Sequence, residues 1–263
     1  MPTTSASFLD GIRFAFGTLT VLPVRVTRWD REAARRGMTY APWVGAVVGG
    51  CSAGLGLLLL LLGAGALLAA VASVAVPAVL TRGLHLDGLA DTADGLGSGK
   101  PAEDALRIMK QSDIGPFGVI TLVLVLLAQV AALAQMYGDS WARGAVAAFV
   151  SAVAARLALT LAARAGVPAA RPEGLGAAVA GVVPVGAALA TAVSFTVISA
   201  ALGPFLGAYG HLRAAAATVL ALAGAELLLR HCTRRLGGIT GDVFGGLAET
   251  AATVALLVLS LGG

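Results

Sequence analysis

Long uncharged stretches alternate with short polar ones along most of the chain. Residues 115–137, GPFGVITLVLVLLAQVAALAQMY, carry no charge and are long enough to cross a bilayer. Residues 42–81 are forty uncharged residues, enough for two crossings with a turn near Gly63. Further candidate spans are about 142–163, 180–203, 211–229 and 243–262. Because backbone in hydrocarbon must satisfy its own hydrogen bonds, we predict a single all-α, polytopic integral membrane domain with about seven to eight transmembrane helices.

The first apolar stretch, residues 8–24, is weaker because it contains Asp10 and Arg13. It either spans the membrane or lies in the interface. We expect no cleavable signal there, because a basic start and a small-residue cleavage site are both missing. Cys51 and Cys232 lie far apart in the sequence and indicate neither a disulfide framework nor a cysteine metal cluster.

Charged residues make up only 12% of the chain, about half the usual share of a soluble domain. Alternating spans would place four polar connections on one side of the membrane: 25–41, 82–114, 164–174 and 230–242. These connections hold 14 of the 18 basic residues, whereas the opposite side holds Arg143 and Arg213. This asymmetry predicts that they face the cytoplasm. Topology and anionic lipid explain the basic runs, so the net charge of +4 does not indicate nucleic acid binding.

Three aspartates lie close together in LHLDGLADTADG, residues 84–95. On a helix Asp87, Asp91 and Asp94 share one face within about 60°, and like charges at this spacing are unfavourable unless something neutralises them. A solvated helix start explains one or two of these acids but not three. Carboxylates select Mg²⁺, Mn²⁺ or Ca²⁺, and carboxylates combined with phosphate are typical of Mg²⁺, so we predict that all three bind a divalent cation of this kind. His85 lacks the partners of a zinc site and is a substrate contact, a partner of the aspartates or a structural histidine.

A second polar segment, GGITGDVFGGLAE, covers residues 237–249. Its five glycines would let backbone N–H groups near Gly241 approach an anion closely. Asp242 and Glu249 would share a helix face, and Glu249 would lie within the membrane, where an ionisable group is a functional candidate. Close helix packing is the alternative explanation of the glycines, but it does not account for the acids. We predict that Asp242 is catalytic and that Gly241 and Glu249 contact substrate.

A third polar segment, RIMKQSDIGPFG, covers residues 107–118 and leads into an uncharged span. Residues 102–110 look amphipathic and would lie on the membrane surface. Bases close to an acidic metal site suit a phosphoester substrate, so Arg107, Lys110 and Ser112 are predicted substrate contacts. The alternative is an interfacial connector helix whose bases reach toward water.

These segments resemble the cobalamin synthase family, cobalamin-5′-phosphate synthase, also called adenosylcobinamide-GDP ribazoletransferase. The similarity is carried, in order along nearly the whole chain, by LTVLPV (19–24), APWVGAVVGG (41–50), LTRGLHLDGLADTADGL (80–96), RIMKQSDIGPFG (107–118), PEGLG (172–176) and GGITGDVFGGLAE (237–249). Two positions depart from the family pattern, since Arg82 stands where the family often has Gly, and Asp113 where it more often has Arg. The second departure removes a basic phosphate contact, which Arg107 or Lys110 would then supply.

The resemblance implies the last assembly step of cobalamin. Adenosylcobinamide-GDP would react with α-ribazole, or its 5′-phosphate, to give adenosylcobalamin, or its 5′-phosphate, and GMP. The implied protein is a Mg²⁺-dependent transferase whose partners are these small molecules and the lipid bilayer; a homo-oligomer is left open. Asp87, Asp91 and Asp94 would bind one or two Mg²⁺, and Asp94 or Asp242 would accept the proton of the ribazole hydroxyl.

Two other classes of function are alternatives. A CDP-alcohol phosphotransferase also uses spaced aspartates and Mg²⁺, but its signature is matched here only in Asp87-Gly88. A cation-coupled transporter would place acids in broken helices near the membrane midplane. The densest acids of this chain instead lie in a loop at the end of a span, and no internal repeat is clear. Both features favour the transferase.

Overall fold

A computed structural model describes residues 6–261 of the chain. In this part the backbone forms α-helices joined by short loops, with no strand beyond two isolated bridges. The helices are α1 (Phe8–Leu19), α2 (Arg31–Leu61), α3 (Ala66–Leu80), α4 (Leu84–Gly97), α5 (Ala102–Ile108), α6 (Pro116–Asp139), α7 (Trp141–Ala162), α8 (Gly174–Val179), α9 (Val185–Ala201), α10 (Gly210–Leu236) and α11 (Gly241–Ser260), with a 3₁₀ turn at Gly203–Leu206.

Five of the described helices are long and apolar enough to cross a membrane: α2, α6, α7, α10 and α11. A sixth crossing is formed if α3 and α4, which meet at an angle of 88°, are counted as one broken span. The polytopic helical membrane bundle is therefore confirmed, but the predicted seven to eight transmembrane helices are not.

Helix length explains the lower number. At a rise of about 1.5 Å per residue, a helix must contain about 20 residues to cross about 30 Å of hydrocarbon. The α1, α3 and α9 helices contain 12, 15 and 17 residues. Residues 8–24 therefore do not form a span of their own, and the second half of the 42–81 stretch is too short to cross alone.

The α2 helix begins eleven residues before the uncharged stretch that predicts it. Asp30 starts it by accepting hydrogen bonds from the backbone N–H groups of Glu32 and Ala33, both at 3.0 Å. The helix then runs through Pro42 and ends before Gly63, whose φ of +88° forms the predicted turn. The apolar pattern thus located the membrane part of the helix, whereas its start is set by a capping aspartate.

The α7 helix lies at the centre of the bundle, and its apolar window is 83% buried. It packs closely on α2 through glycines of that helix. A Cβ atom at Gly45 would lie 2.6 Å from the carbonyl oxygen of Ala152, and one at Gly49 would lie 2.9 Å from that of Phe149. Small residues that let backbones approach are the usual means of joining helices in membranes, where lipid removes the hydrophobic drive to pack.

Candidate active site

The α4 helix, which carries the three aspartates, packs against the start of α11. A Cβ atom at Gly88 would lie 2.6 Å from the carbonyl oxygen of Asp242, and one at Gly245 would lie 2.8 Å from that of His85. Any side chain at either glycine would push the two helices apart. Gly245 of the second polar segment therefore serves close helix packing with Gly88, and this packing places Asp242 beside the aspartates of α4.

Asp94 connects α4 to the start of α6. Its carboxylate accepts hydrogen bonds from the backbone N–H groups of Gly115, at 2.7 Å, and Gly118, at 2.9 Å. A Cβ atom at either glycine would lie within 2.5 Å of a carboxylate oxygen of Asp94. The first turn of a helix has unsatisfied donors and a positive dipole end, both of which a carboxylate stabilises. Asp94 is buried there and anchors α6 to α4.

The loop that follows α7 packs beside the loop that precedes α11. Ala169 and Ile239 form a parallel bridge, and Ile239 donates its backbone N–H to the carbonyl oxygen of Pro168 at 2.9 Å. The PEGLG segment adds a second contact, since a Cβ atom at Gly176 would lie 2.8 Å from backbone atoms of Thr240. The aspartate motif, the second and third polar segments and PEGLG therefore meet in one region of the molecule.

Two cavities open in this region, with volumes of about 680 Å³ and 280 Å³. The larger is lined by Asp87, Asp91 and Ser112, among others, and the smaller by Asp87, His85, Gly241 and Asp242, among others. Asp87 lines both, as do Thr18 and Leu84. The aspartate that stands first in the sequence motif thus lies where the two cavities join.

Asp91 lies close enough to Asp87, Asp94 and Asp242 to be repelled by each of them. Arg171 is the nearby base, and its Nη1 lies 3.6 Å from Oδ2 of Asp242. Sequence reasoning missed Arg171, although it stands directly before the PEGLG segment in one of the polar connections. One arginine among four carboxylates leaves the region with an excess of negative charge.

The three carboxylates of the predicted Mg²⁺ site differ in their surroundings. No group of three or more His, Cys, Asp or Glu side chains in residues 6–261 is placed to hold a metal ion. The carboxylate of Asp94 is engaged by the N-terminus of α6, which leaves Asp87 and Asp91 facing the larger cavity. Two carboxylates are a fitting donor set for Mg²⁺ when substrate phosphates complete its coordination.

The predicted substrate contacts fall into two groups. Ser112 lines the larger cavity, and His85 and Gly241 line the smaller one. Lys110 lies at the rim, where its Nζ is 2.8 Å from Glu173, a residue that lines the smaller cavity. The hydrogen bond and charge of Lys110 lower the pKa of the Glu173 carboxyl, so this carboxyl is ionised at neutral pH.

Arg107 and Glu249 are not brought to the cavities. Arg107 is 69% exposed and pairs with Asp104 on α5 at 3.0 Å. Met109, just after α5, is buried against α4 and is therefore not available to lie on a membrane surface. Glu249 lies deeper in the bundle, where Gln129 donates a hydrogen bond to it at 3.0 Å.

Two further arginines stand out in the structure. Arg156 is buried in α7, where it lines a third cavity, separate from the two described above, together with Glu249. Its Nε and Nη2 atoms lack hydrogen-bond partners among the described residues. Arg82 lines the larger cavity and has a φ of +52°, a left-handed conformation that is unfavourable for a residue with a side chain. Arg82 is noticeable in the sequence because it departs from the family pattern, whereas Arg156 lies inside an apolar stretch and has no such signal.

Comparison with known proteins agrees with the resemblance read from the motifs. The family described as cobalamin-5-phosphate synthase matches residues 11–260. A curated relative from Frankia casuarinae, named adenosylcobinamide-GDP ribazoletransferase, is 42% identical over 95% of this chain and 94% of its own length. Relatives of the same name from Nocardioides sp. (38% identical, 94% of this chain, 97% of the relative) and Bradyrhizobium diazoefficiens (37%, 97% and 95%) are similar to it throughout. No solved structure matches the chain.

Proposed function

Because this chain belongs to the cobalamin-5-phosphate synthase family, we propose that it joins adenosylcobinamide-GDP to α-ribazole, or to α-ribazole 5′-phosphate, and releases GMP. It is a transferase of cobalamin biosynthesis that acts on small molecules from within a multi-pass membrane bundle. The observation that carries the mechanism below is the position of Asp87, which lines both cavities.

The reaction forms one P–O bond and breaks another. The ribazole hydroxyl attacks the phosphorus attached to cobinamide, and the oxygen of GMP departs in line. Asp242 is suited to accept the hydroxyl proton, because it lines the smaller cavity and its Oδ2 is held by Thr240 at 3.2 Å. Asp94 was the other candidate base, but its two backbone hydrogen bonds give it the role of holding α4 and α6 together.

Asp87 and Asp91 supply the acidic side of the site. They line the larger cavity, and their carboxylates are ligands of the type that Mg²⁺ prefers. Mg²⁺ held there would neutralise negative charge on the diphosphate and on the departing GMP. Arg171 balances Asp242 at the neighbouring cavity, so that an anionic substrate meets a base as well as acids.

The site is proposed to face the cytoplasm of a bacterial cell, at the inner membrane. The polar connections that form it are the ones that hold most of the basic residues, which favours that side. A cytoplasmic site would also spare the nucleotide substrate and GMP from crossing hydrocarbon.

The direct test is release of GMP by the purified protein in detergent or liposomes, with adenosylcobinamide-GDP, α-ribazole and Mg²⁺ supplied. GMP should appear in equal amount to the cobalamin product, and only when both substrates are present. The Asp87→Asn variant should lose this activity. A protein that uses cytidine-linked donors instead would be a CDP-alcohol phosphotransferase. A protein that accumulates a substrate in vesicles without releasing GMP would be a transporter.

A further inference from the structure

The two cavities that meet at Asp87 differ in size and in chemistry, and this difference assigns one to each substrate. We infer that the larger cavity takes the diphosphate-bearing donor, with Arg82 as its basic contact, and that the smaller cavity takes the heteroaromatic riboside. This inference rests on the proposed function and specifies which side chains select each substrate.

The larger cavity is polar. Nine of its lining residues carry polar side chains. Three are acids, Asp87, Asp91 and Asp113, and among the described residues that line it Arg82 is the one base. A diphosphate in this cavity would gain from that positive charge, beside the Mg²⁺ proposed at Asp87 and Asp91, because the acids repel it.

Two features of Arg82 support a role in ligand binding. It occupies a left-handed backbone conformation, with a φ of +52°, which costs free energy for any residue except glycine. Its side chain makes no hydrogen bond or ion pair with residues 6–261. The side chain of Arg82 is exposed, so packing does not hold it in place, and its guanidinium could bind phosphate oxygens in the cavity that it lines.

The smaller cavity has a larger apolar share than the other, although Arg171, Glu173 and Asp242 also line it. Eight of its lining side chains are large aliphatic or aromatic groups: Leu19, Met38, Leu84, Leu159, Leu175, Val179, Ile239 and Phe244. Its volume of about 280 Å³ is near the lower end of pockets that hold small molecules, and far too small for a corrin ring bearing a nucleotide. A flat benzimidazole base would fill it, while its ribose would reach toward the polar end at Asp87 and Asp242.

This division places the reacting groups next to each other. A riboside seated in the smaller cavity would present its hydroxyl to Asp242, the proposed proton acceptor, at the boundary with the larger cavity. A diphosphate held by Arg82 would meet it there, because Asp87 lines both spaces. Each cavity therefore controls the affinity for one substrate, and the two effects are separable.

The test is a crossed pair of variants with KM measured for both substrates. Arg82→Gly removes the charge and relieves the backbone, so the protein should fold at least as well, and KM for adenosylcobinamide-GDP should rise roughly tenfold or more. KM for α-ribazole should change little. Arg82→Lys should keep part of the affinity. Arg230→Gln is the matched control, since Arg230 is exposed and pairs with Glu226 on the same helix.

Leu175→Phe should give the opposite pattern, because it reduces the space in the smaller cavity. KM for α-ribazole should rise roughly tenfold while KM for the donor stays near its original value. Ala177→Val on the same short helix is its control, because Ala177 lines neither cavity. In the unaltered protein, each methyl group removed from the dimethylbenzimidazole base should raise KM roughly fourfold, as expected for an apolar pocket.

The outcomes separate this inference from the proposed function. Active variants that raise both KM values together, or that raise the wrong one, would overturn the division of the site while leaving the transferase intact. Arg82→Gly with an unchanged donor KM would overturn the role of Arg82. Absence of GMP release from the unaltered protein would instead refute the proposed function.

Discussion

Asp94 allows the sequence-based and structure-based views of the site to be separated by experiment. The sequence groups it with Asp87 and Asp91 as a metal ligand, whereas in the structure it binds the backbone N–H groups of Gly115 and Gly118. The Asp94→Asn substitution keeps one carbonyl oxygen and replaces the other acceptor by an NH₂ donor. One hydrogen bond to a charged acceptor is lost, one is weakened, and a donor then faces a donor.

The magnitude follows from those two bonds. A hydrogen bond to a charged group contributes about 1.5–3 kcal/mol, so the change should reduce the free energy of unfolding by about 2–4 kcal/mol. In a chain of this length that lowers the melting temperature by roughly 5–10 °C. The loss of order between α4 and α6 should also reduce kcat. The Mg²⁺ concentration that gives half-maximal activity should stay close to its original value.

The assay combines thermal unfolding in detergent with a Mg²⁺ titration of GMP release. Asp91→Asn is the comparison, and it should raise the Mg²⁺ requirement without a comparable change in melting temperature. Glu103→Gln, at a residue that is 93% exposed, serves as the neutral control for charge. Asp94→Asn would refute the anchoring role if it raised the Mg²⁺ requirement as Asp91→Asn does and left the melting temperature unchanged.

Three further predictions concern the packing, the electrostatics and the sidedness of the site. Gly88→Val should abolish activity, because its Cβ alone would clash with the backbone of α11, and purified variant protein with normal turnover would contradict this packing. Arg171→Gln should lower kcat/KM on the order of tenfold to a hundredfold because it removes the positive charge beside Asp242, and Arg171→Lys should keep part of the activity. In a background without Cys51 and Cys232, a cysteine at residue 140 should react with an impermeant thiol reagent on intact cells, and one at residue 103 should not. The reverse labelling pattern would show that the chain has the opposite orientation in the membrane.

The membrane-spanning helices were predictable from the sequence where a long uncharged stretch is enough to define them. Residues 115–137 became α6 almost residue for residue, because an uncharged stretch bounded by Gly-Pro and by Asp139 leaves little choice. The α3–α4 region was less predictable, since Arg82 and Gly83 both adopt positive φ and turn the chain by 88° within an apolar-to-polar transition. Hydropathy alone cannot reveal such a bend.

Site residues that stand out by their chemical type were predictable from the sequence. Residues whose position depends on a contact with a distant part of the chain were less predictable. Asp87, Asp91 and Asp242 meet as the motif spacing and the mechanism required. Arg171 was missed because one base in a basic loop has no local signal, and its partner lies 71 residues away along the chain. Glu249 was grouped with the site by its helix face, but the depth of a residue within the bundle separates it from the cavities.

The three closely spaced acids on α4 do not share one partner. Asp94 lies against the start of α6, whereas Asp87 and Asp91 line the larger cavity. Asp94 is neutralised within the protein, by the donors and the positive end of α6, and this contact fixes the helix in place. Asp87 and Asp91 have no such partner from α6 and face the larger cavity. One acid of the row therefore stabilises the position of α4, and the remaining two face the cavity where the proposed divalent cation would bind.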